Sequence, residues 1–530
     1  MDHRNRFRLE SLGIFLFALL LFTLGIWDQQ PQGFDGRWAL FLQEMFRHGA
    51  SLFPTTYGQP YADYPGTATF LSYVCARLFG APNHLANVLP TALASAGVVA
   101  LIYRLLAPSS RQWALLTVLL TLLTTQLLEK SRSVCLDQMV ALLCVGAFYL
   151  LHSGGRWRRL AVFPLFVLGF AIRGPLGLIE VCGVVCVYWA LGRPGERVKQ
   201  VLIHGIVGVV LLAVCWWLLV KLARISGGDA FADEVFKMQV GGRLDETGEP
   251  FYFYFQLSLY RYFPVVPLAL AAMIALRHRW SERFAGDMQM VTRLGACGLM
   301  ILLGLSIPHF KRAYYILPMV PMFAAVAAYG LLQAQGWLAG VRRCYEGLVV
   351  ALPALCVVVV FVCRHGWQKH GYWPDVSLPL LVGVLLVLQG VALIAWWRAG
   401  RLVWLSLIGL IAQWLLLVTV VEPAKDLQFD TRTFVAQVEA LRAAQPGPLV
   451  FINLGRDTWA VRYVMNLDHD EQPVFVGGDQ LERLRALPRP AWVLVARKEA
   501  ALLQGTPLDS QVPDFEGRLN DNPLMVFLLR

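Results

Sequence analysis

Repeated apolar runs constrain this chain more than any other feature of its sequence. They extend over roughly 17 to 22 residues, which is long enough for an α-helix to cross the hydrocarbon core of a bilayer. Hydrophobic residues make up 57% of the 530 residues and charged residues only 15%, unlike the composition of soluble proteins. The sequence therefore predicts a polytopic α-helical membrane protein and excludes soluble, disordered, collagen-like and disulfide-scaffold classes.

Thirteen segments fit transmembrane helices, and the basic residues between them indicate an orientation. The loops expected in the cytoplasm hold the arginines, for example Arg156, Arg158 and Arg159, as the positive-inside rule requires for a cytoplasmic N-terminus. This bias also explains the net charge of +11 without a nucleic acid partner. The predicted spans are residues 11–27, 85–106, 112–128, 138–152, 160–173, 175–192, 201–221, 262–277, 293–307, 314–333, 347–363, 377–397 and 402–421.

The long polar segments lie on the opposite face. An odd number of spans that starts inside places the residues after 422 outside, where short apolar runs alternate with helical stretches as in a small α/β domain. In the first outer loop, two amphipathic segments, 36–48 and 67–79, are predicted to be helices on the membrane surface. The predicted organisation is a transmembrane domain at 1–422, with outer loops at 28–84 and 222–261, and an outer α/β domain at 423–530.

Two carboxylates stand at the outer ends of predicted spans. Asp35 follows the first span, and Asp137 begins a later helix close to Arg132. An N-cap explains either carboxylate alone, because it accepts hydrogen bonds from free backbone N–H groups. Two acids on the same face, each with an arginine nearby, fit a functional site better than two independent caps.

Arg173 interrupts a long apolar stretch, and Gly174-Pro175 ends the helix directly after it. The positive charge is therefore expected at the outer boundary of the membrane. One interpretation is that the side chain extends to lipid phosphates. The other is that it orients an aspartate or holds a phosphate in a site.

Further cations and phenols occur on the face where the positive-inside rule predicts few cations. Lys311, Arg312 and Tyr315 stand at the outer entry of one span, and Arg243 precedes the aromatic run 251–255. A cationic cluster on this side predicts an anionic ligand. At a membrane surface that ligand is a lipid phosphate.

In type, order and sidedness these motifs resemble the bacterial GT-C membrane glycosyltransferases. The resemblance is to the lipid A aminoarabinose transferase and its relatives in the protein O-mannosyltransferase superfamily. It implies a sugar donor linked to a polyprenyl phosphate such as undecaprenyl phosphate, and transfer with inversion to an acceptor at the periplasmic face of the bacterial inner membrane. The matching segments are Asp35 with residues 38–47, then 60–65, 132–137, 173–175 and 314–321.

The resemblance also implies roles for single residues. Asp35 becomes the catalytic carboxylate that takes the acceptor proton, with Asp137 as a second catalytic residue. Asp63 and Tyr64, which stand where the relatives have Glu-Lys, become candidate ligands of the acceptor or of a metal ion. No cofactor is identified, and a divalent cation is left open. The candidate ligands of the donor phosphate are Arg132, Arg173, Arg243, Lys311, Arg312 and Tyr315.

Two classes of function follow from these observations. The first is a monomeric glycosyltransferase that acts on a membrane lipid donor and on lipid A, another glycan or a protein as acceptor. The alternative is a transporter or flippase of a lipid-linked sugar or amphipathic lipid. Transporters carry polar residues and broken helices near the bilayer midplane, whereas the charges of this chain cluster at one surface, which favours the enzyme.

The orientation is testable with reporter fusions. Alkaline phosphatase joined after residue 160 should be inactive, because that loop is predicted in the cytoplasm, and the same enzyme joined after residue 425 should be active. Activity at the first position or inactivity at the second would contradict the predicted topology. Immunoblots for the fusion proteins control for differences in their amount.

Overall fold

The computed structural model describes residues 3–63, 65–192, 194–241, 248–398 and 400–530 and is mainly helical. Tyr64 and Arg243 lie outside the described residues. The helices are α1 (His3–Thr23), α2 (Asp35–His48), α3 (Thr67–Phe79), α4 (His84–Leu106), α5 (Arg111–Leu123), α6 (Thr125–Lys130), α7 (Leu136–Ser153), α8 (Arg156–Leu160), α9 (Val162–Arg173), α10 (Pro175–Ala190), α11 (Pro194–Phe236), α12 (Phe253–Tyr260), α13 (Val265–Leu276), α14 (Gly286–Ser306), α15 (Val320–Leu332), α16 (Trp337–Gln368), α17 (Leu378–Trp396), α18 (Arg401–Leu416), α19 (Glu422–Gln428), α20 (Arg432–Ala444) and α21 (Val461–Val464).

A helix overlaps each of the thirteen predicted spans, but not all of these helices are long and apolar enough to cross a membrane alone. Within the described residues, seven meet that test, and eight do if the bent pair at 253–260 and 265–279 is one span. The exact number of thirteen therefore stays a prediction. Helix α1 falls outside the seven although it is 21 residues long, and its N-terminal half is rich in charge.

Small residues allow α9 and α10 to pack against each other. Gly174 connects the two helices, which pack against each other. Its φ of +68° is adopted more easily by glycine than by residues with a Cβ atom. A Cβ atom on Gly169 would lie 2.6 Å from the carbonyl oxygen of Gly177, so the two backbones nearly touch. As predicted, α9 ends at Arg173, which places its guanidinium at the turn between the helices.

The outer loops differ from the prediction in one place. The two helices predicted in the first loop are present as α2 and α3, and a short antiparallel pair, β1 (Thr55–Thr56) and β2 (Gln59–Pro60), lies between them. The second outer loop, predicted to begin at 222, is helical to Phe236. Inside this helix, the backbone is kinked at Gly228, whose φ is +78°. The kink therefore lies six residues after the predicted start of the loop.

The C-terminal residues form five strands, β3 (Leu449–Ile452), β4 (Val474–Val476), β5 (Ala491–Ala496), β6 (Phe515–Leu519) and β7 (Asn522–Leu529). They make one mixed sheet in the order β4-β3-β5-β7-β6. Strand β3 is parallel to both neighbours, whereas β7 is antiparallel to β5 and β6. Four strands coincide with the apolar runs seen in the sequence, and β6 was not expected.

This sheet packs on the first outer loop. Leu40 of α2 and Tyr57 belong to the same apolar cluster as Phe434 and Tyr463 of the C-terminal residues. Polar contacts accompany the packing, since the Gln43 amide donates to the Met465 carbonyl oxygen at 2.6 Å. Helix α2 therefore has the membrane domain on one side and the C-terminal sheet on the other.

The close approach of α9 and α10 predicts a strong effect of a single methyl group. Gly169→Ala should lower the stability of the purified protein by about 1–3 kcal/mol, because rigid backbone on the facing helix cannot yield. Thermal unfolding in detergent measures the change. Gly205→Ala is the matched control, since a Cβ there meets no atom within 4 Å, and equal Tm values for the two variants would contradict the packing argument.

Candidate active site at the outer ends of the helices

Four of the predicted site residues line one cavity of about 520 Å³. Asp35, Arg132, Asp137 and Arg173 come from separate parts of the membrane domain and meet at the helix ends that the charge pattern predicts to lie outside. The C-terminal residues contribute Trp459, Arg462, Asn520 and Asp521 to the same wall. The cavity therefore lies between the membrane domain and the C-terminal sheet.

Asp35 does not act as the N-cap of its helix. The N-cap position is Phe34, which makes no side-chain capping bond. The Asp35 carboxylate instead accepts a hydrogen bond from the backbone N–H of Val134 at 3.2 Å. The capping interpretation of Asp35 is therefore wrong, and its carboxylate joins α2 to the segment that leads into α7.

Burial changes the acidity of Asp35. Its side chain is buried, and this desolvation raises its pKa from 3.8 to about 6, against the opposing effects of the Lys130 charge and the Val134 N–H. A carboxylate with such a pKa is largely ionised at neutral pH and yet binds a proton readily. These are the properties of a general base.

Asp137 and Arg173 form a buried ion pair. Arg173 Nε donates to Asp137 Oδ1 at 3.1 Å, and each side chain is 1% exposed. The Arg173 guanidinium also stacks 4.6 Å from the centre of the Tyr315 ring. The interpretation that Arg173 extends to lipid is therefore wrong, because the side chain turns inward to a carboxylate and an aromatic ring.

Arg132 is held by four hydrogen bonds. Its Nε and Nη2 donate to the two carboxylate oxygens of Glu422 at 2.7 Å. The remaining bonds reach the carbonyl oxygens of Leu21 at 2.8 Å and Leu24 at 2.9 Å. A guanidinium has five N–H groups, so little of Arg132 is left for a ligand.

Three other cations, Lys130, Arg312 and Arg462, face the site without a carboxylate partner within ion-pair distance among the described residues. Lys130 lines the main cavity and stacks on the Tyr314 ring at 5.4 Å. The Arg312 guanidinium stacks on Phe34 at 5.2 Å. Arg312 was predicted to bind the phosphate, whereas Lys130 was not. A signal for Lys130 was present in the sequence, because it stands close to Arg132 on the face that is predicted to lie outside.

A second cavity of about 320 Å³ adjoins the first. It contains Asp63, Arg312 and Tyr315, and it shares the side chains of Phe34, Trp38 and Tyr314 with the main cavity. Arg37 lies in the second cavity, 3.8 Å from Asp63, and stacks on Tyr61. Seven of the predicted residues therefore line two neighbouring cavities that three aromatic side chains separate.

Lys311 lines neither cavity. Its ammonium is buried and donates to the Glu249 carbonyl oxygen at 2.8 Å. In the part of the chain that the structure describes, no group of three or more His, Cys, Asp or Glu side chains could hold a metal ion. Asp63 instead lies 3.8 Å from the Arg37 guanidinium. This nearby positive charge disfavours the binding of a metal cation by Asp63.

Comparison with known proteins confirms the resemblance found in the sequence. Residues 63–219 match the family model described as dolichyl-phosphate-mannose-protein mannosyltransferase. The chain shares its fold with ArnT from Cupriavidus metallidurans bound to undecaprenyl phosphate, with a TM-score of 0.73, 16% identity and 97% of both chains covered. The apo form of ArnT from the same organism gives 0.70 with 14% identity over 98% of both chains. No curated protein matches the sequence.

This chain is therefore a multi-pass membrane protein that shares the fold of ArnT. The similarity extends over the C-terminal residues as well as the membrane domain, because nearly the whole of both chains is covered. At this level of identity the likeness describes the fold. The chemistry must be argued from the side chains in the two cavities.

The acidity of Asp35 can be measured directly. In infrared difference spectra against Asp35→Asn, a carboxyl band should titrate near pH 6, and Lys130→Met should move the midpoint upward because the lysine charge favours the carboxylate. Because the pKa of Asp35 is higher in the folded than in the unfolded protein, its protonation contributes to the free energy of unfolding. That contribution is fully present below pH 3.8 and is lost as pH rises through about 6. Lys498→Met, on an exposed residue, should leave the midpoint unchanged, and a wild-type midpoint near 4 would contradict the argument.

Proposed function

We propose that this protein is a glycosyltransferase that moves a sugar from a polyprenyl phosphate to an acceptor at the outer face of the membrane. The observation that carries the proposal is a buried carboxylate, Asp35, in one cavity with Lys130, a cation that has no carboxylate within ion-pair distance among the described residues. The shared fold supports the donor class, since ArnT has been crystallised with undecaprenyl phosphate. In a bacterial cell this face is the periplasmic side of the inner membrane.

The donor phosphate is held by Lys130 and Arg312, which have no carboxylate within ion-pair distance in the part of the chain that the structure describes. Lys130 and Arg312 lie against Tyr314 and Phe34 respectively, two of the aromatic side chains shared by the cavities. As the bond from the sugar to the phosphate oxygen breaks, negative charge grows on that oxygen, and fixed cations stabilise it. Tyr315 lines the same cavity as Arg312 and completes the phosphate site.

Asp35 acts as the general base. The acceptor hydroxyl attacks the anomeric carbon from the side opposite the phosphate, its proton passes to Asp35, and the polyprenyl phosphate leaves with the bonding electron pair. Attack from the opposite side inverts the anomeric configuration. The raised pKa of Asp35, about 6, strengthens the base while keeping it ionised near neutral pH.

The remaining charged residues position these groups. Asp137 fixes Arg173, which stacks on Tyr315 and thereby orients the phosphate site. Arg132 has four hydrogen bonds to protein groups, and Lys311 is bound to a carbonyl oxygen. We therefore assign structural roles to Arg132 and Lys311 rather than direct contact with the phosphate.

The central test replaces the Asp35 carboxylate with an amide of nearly the same shape. Asp35→Asn should lower sugar transfer by about 10²–10⁴-fold, because an amide cannot take the proton, while retention of radiolabelled undecaprenyl phosphate by the protein in nanodiscs stays normal. Mass spectrometry of lipid A, O-antigen and pilin glycans, with and without the gene, identifies the acceptor and measures transfer. Near-normal transfer by Asp35→Asn would remove this residue from catalysis.

The phosphate site is tested by binding alone. Lys130→Ala and Arg312→Ala should each weaken retention of undecaprenyl phosphate by about tenfold, since each removes a charge-assisted contact to an anion. Arg483→Ala is the control, because this arginine is exposed on the C-terminal residues. Equal retention by all three variants would show that the phosphate binds elsewhere.

A further inference from the structure

The C-terminal residues form one wall of the main cavity, and the mechanism proposed above uses none of its side chains. Trp459 directly precedes α21, Arg462 lies within α21, and Asp521 stands in the turn between β6 and β7. The wall lies next to the proposed base, because a Cβ atom on Gly36 would stand 3.9 Å from Cγ of Arg462. A group that lies against Asp35 in this cavity is therefore within reach of the wall.

Ion pairs within the protein neutralise most of the charges around the main cavity. The pairs are Arg132 with Glu422, Arg173 with Asp137 and Lys425 with Glu129. In the part of the chain that the structure describes, Asp35, Lys130, Arg462 and Asp521 line the cavity without an ion pair. The first two have roles in the proposed reaction, as base and as phosphate ligand. One cation and one carboxylate, both on the C-terminal wall, remain without a role.

Arg462 and Asp521 interact through their charges but form no direct ion pair. Burial lowers the pKa of the Arg462 guanidinium, and the nearby Asp521 carboxylate opposes this effect. The guanidinium stacks 4.6 Å from the centre of the Trp459 ring, and it makes no hydrogen bond to any described residue. Its five N–H groups and the Asp521 carboxylate can therefore be bridged by a ligand that both donates and accepts hydrogen bonds.

The turn that carries Asp521 is held in place by the segment that leads to α2. Asn520 and Asp521 form the two-residue turn of a hairpin, in which Asn520 has a φ of +62°. The Asn520 N–H donates to the Asp430 carbonyl oxygen at 2.8 Å, and the Asp430 carboxylate accepts from the Gln30 amide at 2.6 Å. Asp521 is thereby fixed relative to Asp35, as a side chain that orients a reacting molecule must be.

We infer that this wall binds the sugar of the donor and selects an uncharged sugar, and this inference rests on the proposed function. With the phosphate at Lys130 and the acceptor hydroxyl at Asp35, the sugar between them lies in the main cavity. Sugar hydroxyls both donate and accept, so neighbouring hydroxyls bridge Arg462 and Asp521. The Trp459 ring offers an aromatic surface for the C–H face of the sugar.

The two opposite charges disfavour a charged sugar. A uronic acid attracted to Arg462 is repelled by Asp521, and an amino sugar meets the reverse arrangement. Either sugar also loses the solvation of its own charge on entering the cavity. The wall therefore discriminates by pairing each attraction with a repulsion.

The test compares lipid phosphates that differ only in the sugar, by their retention on the full protein in nanodiscs. The reference is the methyl ester of undecaprenyl phosphate, which carries the same phosphodiester charge as a sugar conjugate. At least one of the glucose, mannose and galactose conjugates should bind about thirtyfold more tightly than this ester, because the sugar adds stacking and hydrogen bonds. The galacturonic acid and aminoarabinose conjugates should both bind more weakly than that conjugate.

Two substitutions assign this difference to the C-terminal wall. Trp459→Ala should reduce the advantage of the uncharged conjugate over the methyl ester about fivefold, because stacking is lost. Asp521→Asn should reduce it by a similar factor, about fivefold, because a charged acceptor is lost. Asp521→Asn should also strengthen binding of the galacturonic acid conjugate, since Arg462 then faces no opposing carboxylate. Normal retention of the methyl ester shows that each variant is folded.

Trp157→Ala and Asp479→Asn are the matched controls, because both side chains are exposed and line neither cavity of the site. The inference is overturned if no uncharged conjugate binds more tightly than the methyl ester, or if a charged conjugate binds most tightly. It is also overturned if Trp459→Ala and Asp521→Asn leave the advantage intact, as they would if the wall bound the acceptor. Failure of the wild-type protein to retain the methyl ester would instead overturn the proposed function.

Discussion

The guanidinium of Arg132 connects the parts of the molecule on which the site depends. It binds the carbonyl oxygens at the end of α1, follows α6 in the chain, and pairs with Glu422 at the start of α19. Removing one partner of such a buried pair costs about 3–5 kcal/mol, because the other charge remains without compensation. Arg132 thereby holds together three segments that are far apart in sequence. These segments support the wall of the main cavity.

A row of amides adds a second connection in the same region. Gln29, Gln30 and Gln32 donate to Glu422, Asp430 and Asp426 respectively, at 2.6–2.7 Å. These glutamines directly precede Asp35, so the C-terminal residues determine where that carboxylate stands. The geometry of the proposed active site therefore depends on the whole chain and not on the membrane helices alone.

Periodicity and charge placement predicted the helices well, because these patterns are local in sequence. The same patterns predicted that Asp35, Asp137 and Arg173 lie on one face of the membrane, since the side on which a residue lies follows from the order of the spans. The partner of each charge could not be predicted, because the contact of Arg132 with Glu422 crosses 290 positions and no local pattern encodes it. For the same reason the sequence did not reveal that Arg462 and Asp521 line the cavity.

Helix α2 has consequences for how such a chain can change over evolution. Its outer side contributes Leu40 to the apolar cluster of the C-terminal sheet, and its first residue is the proposed base. A different C-terminal domain would leave this surface without its complement and would expose apolar area to water. Exchange of the domain therefore requires matching substitutions in the first outer loop, so these two regions are expected to covary although nearly the whole membrane domain separates them in sequence.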